Sequence, residues 1–277
     1  MNRTLLRYFG LKFNPFEPDV PVEALYVPAE AEAFCRRVEM SLLEGGFAMV
    51  TGEPGCGKSA VLRLLAHRFS TQSDVIVATI DHPQSRPADF YRELGDRFGL
   101  QLTMSNRWGG FKALRARWAD HIAACHYRPI LLIDEAQQMI DPVFAELRIL
   151  ASKDFDSQSL LSVIFAGDAR LTDRFRHPDM IPLGTRIKRR LVIDYASRDE
   201  MLACLAHVLE AAGNSALLSK ELQSTLVDHA AGNYRVMMNT ADELLTAAFE
   251  RQKSTLDEKI FLEVFATTPR KATARKR

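Results

Sequence analysis

The chain has 277 residues, of which 47% are hydrophobic and 26% charged, and its net charge is only +1. That balance suits a folded globular protein with one sizeable core or two modest ones, and it excludes wholesale disorder. It also removes any chain-wide electrostatic case for nucleic acid, which then has to come from local clusters.

No apolar run approaches the ~20 residues that span a bilayer, and Met1 to Arg7 is not followed by the apolar core of a signal peptide. A cytoplasmic protein without a membrane partner is expected. Cys35, Cys56, Cys125 and Cys204 are widely scattered and the seven histidines are dispersed. Reduced structural thiols and no transition metal follow from that spacing.

In chain order, the stretch YFGLKFNPFEP (Tyr8 to Pro18) is aromatic and proline-rich, too irregular for a helix and too apolar for a free tail. Residues 1–25 are expected to pack on the core that follows, either covering the edge of a ligand site or simply burying apolar surface. A helix is expected near 29–44, then a strand over 47–51. That strand runs into Gly52-Glu53-Pro54-Gly55-Cys56-Gly57-Lys58-Ser59, a complete GxxxxGK[ST] phosphate-binding loop, and Ala60 continues into a helix over 58–69. The chemistry needs that order. A glycine-rich turn lets successive backbone N–H groups face phosphates, Lys58 reaches the terminal phosphates, and the Ser59 hydroxyl ligates Mg²⁺. ATP with Mg²⁺ is the expected ligand.

A second strand (75–80), helices near 88–98 and 111–125, and a third strand (130–134) follow. The third strand ends on Asp134 and Glu135. A carboxylate there can hold Mg²⁺ through water, which is assigned to Asp134, and Glu135 is placed to polarise an attacking water. After a helix near 142–152, the strand 161–166 ends at Gly167-Asp168. Asp168 either helps place that water or caps the next helical segment. The basic run Arg186-Ile187-Lys188-Arg189-Arg190 precedes a strand over 191–195. Arg186 is the candidate arginine finger for a neighbouring subunit's γ-phosphate, with Arg189 and Arg190 as competitors.

Short β-branched runs alternating with helical segments argue for parallel strands joined by crossover helices. From about 198 to 267 the strand signal stops, and three or four amphipathic helices are interrupted by Gly213-Asn214 and Gly232-Asn233. Arg235, where one of these helices opens, either reports nucleotide state or packs on the surface. The tail 269–277 carries five basic residues and no acid, and reads as a disordered basic arm. The expected fold is α/β: an αβα sandwich with a five-stranded parallel sheet over 26–196, then an all-helical domain over 197–268.

These motifs, in this order, resemble the AAA+ ATPases along nearly the whole chain. Within them, YFGLKFNPF, the DEAQ of Asp134 to Gln137, and Glu146-Leu147-Arg148-Ile149-Leu150 leading into VIFAGDARL resemble the ExeA/GspA group. The resemblance implies a P-loop NTPase core with a small helical lid. It assigns Lys58, Ser59, Asp134 and Glu135 directly, Asp168 to the sensor 1 position where the superfamily typically has Asn, Arg186 to the finger and Arg235 to sensor 2. It further implies intersubunit ATP hydrolysis in a homo-oligomer, a ring or helical filament.

Two settings are known for the group: transposition helper ATPases similar in role to MuB, TnsC and IstB, and an accessory ATPase of type II secretion. Secretion members usually continue into a membrane span, whereas this chain ends in its basic tail. The expectation is therefore a transposition regulator that assembles on double-stranded DNA, mostly without sequence specificity, selects target DNA and recruits or stimulates a DDE-type transposase. Its DNA contacts would come from the loops at His82, Gln84, Ser85 and Arg86 and at Thr103, Ser105, Asn106, Arg107 and Trp108. The alternatives are the secretion-complex ATPase and a non-hydrolysing ATP-gated binding switch, the latter disfavoured by an intact Glu135.

Overall fold

A computed structural model describes residues 3–42, 45–81, 83–102 and 107–265. Helix α1 (Arg3–Phe9) and a short 3-10 turn (Val22–Ala24) lead to α2 (Ala29–Leu42), β1 (Gly46–Gly52), α3 (Lys58–Ser70), β2 (Val77–Ile80), α4 (Pro87–Arg97), α5 (Arg107–Cys125) and β3 (Ile130–Ile133). Then come α6 (Asp141–Ala151), the two-residue strands β4 (Ser152–Lys153) and β5 (Gln158–Ser159), β6 (Ser162–Gly167), α7 (Ala169–Arg174), α8 (Ile181–Gly184) and β7 (Ile187–Ile193). Helices α9 (Arg198–Ala212), α10 (Lys220–Ala230), α11 (Tyr234–Glu250) and α12 (Glu258–Phe265) complete the described residues. It divides into two compact units, one of residues 27–195 and one of residues 1–26 with 196–277.

The first unit is built on a five-stranded sheet in the order β2-β3-β6-β1-β7, with every pairing parallel. The three inner strands are apolar on both faces because helices cover both. Phe47, Met49, Leu131, Ile133, Val163 and Phe165 point into one core with Phe90, Leu94, Trp118, Phe144 and Leu147 from α4, α5 and α6. Their alternates Ala48, Val50, Ile130, Leu132 and Ile164 are equally buried on the other face. There α2 and α3 lie on the sheet and are tied together by Arg68, which donates to Glu32 at 2.7 Å and to Glu39 at 3.0 Å.

Strand β7 begins at Ile187, four residues before the start expected from sequence, so most of the basic run lies within the strand. Only Ile187 and Leu191 of this edge strand are buried, while Lys188, Arg189 and Arg190 are exposed. An edge strand bonded on one side tolerates such residues, and their charge made the run read as preceding the strand. The β4/β5 hairpin was likewise unforeseen, because Asp154-Phe155-Asp156-Ser157 carries no strand signal.

The second unit packs α9, α10, α11 and α12 around Met201, Leu205, Leu222, Leu226, Met237, Leu244 and Ile260. Its helices start where the caps dictate. Ser197 and Glu200 form a reciprocal capping box on α9, and Ser219 and Asn233 accept from the first turns of α10 and α11. Phe9, Leu11 and Phe16 belong to this core. The N-terminal segment is tied into this unit: the Lys12 N–H donates to the Ala212 carbonyl at 2.9 Å, Asn214 donates to the Phe9 carbonyl at 2.8 Å, and buried Asn14 donates to Asp242 at 2.6 Å. Its aromatic content showed that it had to be buried, but not against which surface.

Candidate nucleotide-binding and hydrolytic site

The carboxyl ends of β1, β3 and β6 lie side by side in the sheet. From β1 the chain enters the loop Glu53 to Gly57, whose Gly55 and Gly57 take φ of 86° and 104°, and then α3. Gly52 is required for a different reason. A Cβ there would stand 2.3 Å from the Ile193 carbonyl oxygen and 2.6 Å from the Cys56 sulfur, so the loop and the end of β7 can close together only on a bare α-carbon.

Lys58 opens α3 and is buried; its ammonium donates to the carbonyls of Gly52 at 2.8 Å and Glu53 at 3.0 Å, which hold the charge over the loop. The aligned N–H groups at the start of α3 add positive potential in the same place. Cys56 is buried within the loop, and burial raises its thiol pKa, so it is a packing residue there and not a nucleophile. Ala60 lies in the first turn of α3.

Next to this loop, Asp134 follows directly on β3, its N–H bonded to the Ile80 carbonyl at 2.9 Å. The Ser59 hydroxyl donates to Asp134 Oδ2 at 2.9 Å, and Asp134 Oδ1 accepts from the Glu135 N–H at 2.8 Å. A hydroxyl and a carboxylate in contact form a hard oxygen set of the kind Mg²⁺ prefers when phosphate oxygens and water fill its other positions. No cluster of three or more His, Cys, Asp or Glu side chains suited to a metal occurs among the described residues.

Glu135 itself stands at φ 50°. Its carboxylate Oε2 accepts from Gln137 Nε2 at 2.6 Å and from Gln138 Nε2 at 3.2 Å. Sequence reading quoted Gln137 only as part of a motif and missed both amides as partners of the acid; their spacing of two and three residues after it was the available signal.

Asp168 ends the neighbouring strand as the N-cap of α7, accepting from the Arg170 N–H at 3.0 Å and from its guanidinium at 2.6 Å. The bond from Arg170 holds its carboxyl below the usual range. Of the two readings of Asp168, the capping one is what the geometry displays.

Arg186 is not part of the same constellation. Phe47 registers with Ile187 and Gly52 with Ile193, so Arg186 lies at the opposite end of β7 from the phosphate loop. Seven residues of strand separate the two ends by about 20 Å. Its guanidinium donates to the Pro182 carbonyl and pairs with Asp156 of the β4/β5 hairpin. Arg190 donates to the Gly184 carbonyl at 2.7 Å and Arg189 is exposed within the strand. Arg235 is exposed at the start of α11 in the helical unit.

Among the candidate DNA contacts, Arg86 is exposed immediately before α4. Trp108 is 65% exposed and stacks on Phe111. Arg107 pairs with the buried Glu146, which also accepts from Tyr91 at 2.7 Å; this commits part of its charge within the fold. His82, Thr103, Ser105, Asn106 and the tail 269–277 lie outside the described residues.

Comparison with known proteins agrees with this architecture. Residues 42–175, which contain the phosphate loop, β3 with its two acids, and Asp168, match the family described as AAA domain. The chain has the AAA fold. It is also 30% identical over 251 residues to general secretion pathway protein A of Aeromonas hydrophila, an alignment covering 88% of this chain and 45% of that protein. The chain thus spans less than half the length of this relative, and the point at which it ends does not separate the two settings of the group.

Solved structures share the AAA fold at low identity. The Aeropyrum pernix ORC2 protein in its ADP form has a TM-score of 0.71 at 15% identity, covering 93% of this chain and 73% of that one. The Aeropyrum pernix ORC1 protein in complex with DNA has 0.68 at 17%, covering 91% and 68%. Cdc6p from Pyrobaculum aerophilum has 0.68 at 14%, covering 87% and 67%. None of the described helices is long and apolar enough to cross a membrane.

Proposed function

We propose that this protein is an ATPase of the ExeA/GspA type whose nucleotide cycle drives assembly of a secretion complex at the cytoplasmic face. The observation that carries the enzymatic half is the contact of Ser59 with Asp134 at 2.9 Å, with Glu135 directly adjoining. The likeness to general secretion pathway protein A over 88% of the chain supports the secretion setting over the transposition setting expected from sequence.

In this reading Lys58 and the loop N–H groups bind the β- and γ-phosphates. Ser59 and Asp134 would hold Mg²⁺, which would neutralise charge on the phosphates. Glu135 takes a proton from water as the water oxygen bonds to the γ-phosphorus and the bond to the ADP oxygen breaks. Asp168 borders the site from the next strand. Arg186, about 20 Å of strand from its own loop, acts in the site of the next subunit, so hydrolysis requires a homo-oligomer, a ring or filament.

The test is a Mg²⁺-dependent ATPase assay on the purified chain. Glu135→Gln is expected to retain ATP binding and lose about 10²-fold or more in turnover, and Lys58→Ala to lose binding. Unchanged turnover in Glu135→Gln would refute the general-base role.

A second reading keeps double-stranded DNA and a DDE-type transposase as partners. The exposed Arg86 and Trp108 favour it, as does likeness in fold to a protein solved in complex with DNA. ATP-dependent retention of random duplex at low salt tests it; no retention sinks it.

A further inference from the structure

The two glutamines that follow the acids do more than fill the turn after β3. Both donate to the same oxygen of Glu135, Oε2, Gln137 at 2.6 Å and Gln138 at 3.2 Å. Oε1 accepts no hydrogen bond among the described residues, so one carboxylate oxygen is gripped and the other is presented.

Each glutamine is itself held at its far end. Gln137 Oε1 accepts from the backbone N–H of Asp168 at 3.3 Å. It lies where a Cβ on Gly167 would come within 2.6 Å, so the amide is wedged against the end of β6. Gln138 Oε1 accepts from Gln84 Nε2. Gln84 is exposed, in the segment between β2 and α4, across the β2–β3 edge of the sheet. The chain of contacts therefore runs Gln84, Gln138, Glu135, Gln137, Asp168, from an exposed loop through the acid to the neighbouring strand.

An amide carries donors on one end and an acceptor on the other. Gln84 donates to the oxygen of Gln138 and so turns the Gln138 NH₂ toward Glu135; the Asp168 N–H does the same for Gln137. We infer that Gln137 is a positioning residue for Glu135, and that Gln84 acts on Glu135 through Gln138, making the segment after β2 an input to hydrolysis. This rests on the general-base reading of Glu135. It adds which residues aim that base. Small displacements of a reacting group weaken catalysis steeply while leaving ground-state binding alone.

The experiment is steady-state ATPase kinetics with nucleotide affinity measured separately, on Gln137→Ala, Gln137→Met, Gln84→Ala, Gln138→Ala and the Gln84/Gln138 double variant. Gln137→Met keeps the length of the side chain and removes the donor, which guards against a collapse of the turn in Gln137→Ala. Both Gln137 variants are expected to lose at least about tenfold in kcat, with KM and ATP affinity within about twofold. Gln84→Ala and Gln138→Ala are each expected to lose about threefold, and the double variant no more than Gln138→Ala alone, the non-additivity of residues acting in series.

Normal kcat in Gln137→Met, or additive losses in the double variant, would overturn the relay while leaving Glu135 as base. Normal turnover in Glu135→Gln would overturn the base and the relay together, so the two failures are distinguishable.

Discussion

Strands β3 and β7 are parallel members of one sheet that carry charge at opposite ends. β3 is a central strand, buried at all four residues, and hands its acids Asp134 and Glu135 to the carboxyl edge beside the phosphate loop. β7 is an edge strand, buried only at Ile187 and Leu191, with Arg186 preceding it at the amino edge. The first builds a site within its own chain. The second leaves its arginine at the end of the sheet opposite the phosphate loop.

That contrast is broken most directly at Arg186. Arg186→Ala is expected to lower turnover about 10³-fold, the scale of an arginine finger, with ATP binding retained. Mixing it with Glu135→Gln is expected to recover activity, since a mixed interface can pair an intact finger with an intact base. If the mixture stays inactive and Arg189→Ala or Arg190→Ala carries the loss instead, the assignment moves along the strand.

Next in size is stability. Leu131→Ala in β3 removes a wholly buried side chain and is expected to cost about 3 kcal/mol. Val192→Ala in β7, 60% exposed, is expected to stay within about 0.5 kcal/mol. Denaturant midpoints compare the two, and a large loss at Val192 would mean that the edge of β7 is covered.

The smallest effect concerns Asp168 on the strand next to β3. Arg170 depresses its carboxyl pKa, so the contribution of this pair is present above the ordinary Asp range and is lost as pH falls through the depressed folded value. The difference in Tm between the parent and Asp168→Asn is expected to be small, constant from pH 8 to about 5, and to close below about pH 4. A difference that grows on acidification would reverse the sign and refute the pairing. Arg170 is 73% exposed, which keeps the effect small through screening.

The same two strands show what the sequence carries. β3 was readable because Ile130-Leu131-Leu132-Ile133 is an unbroken apolar run ending on acids, and the approach of Ser59 to Asp134 was foreseeable because the two spacings answer one chemical need. The start of β7 was not, since three exposed cationic residues erase the apolar signal of an edge strand. Partners that depend on tertiary approach were equally hidden: Asp156 for Arg186, Glu146 for Arg107, and the α9–α12 core for Phe9 and Phe16. Nothing local marks them, because each joins segments far apart along the chain.

Glu135 sits at φ 50°, a backbone conformation that glycine adopts freely and that a side chain disfavours by about 1 kcal/mol or more. A chain selected for resistance to unfolding alone would place glycine at that position. Keeping an acid there sets durability against turnover at a single backbone angle, and it makes the turn after β3 a place where a more heat-tolerant variant is readily found at the expense of hydrolysis.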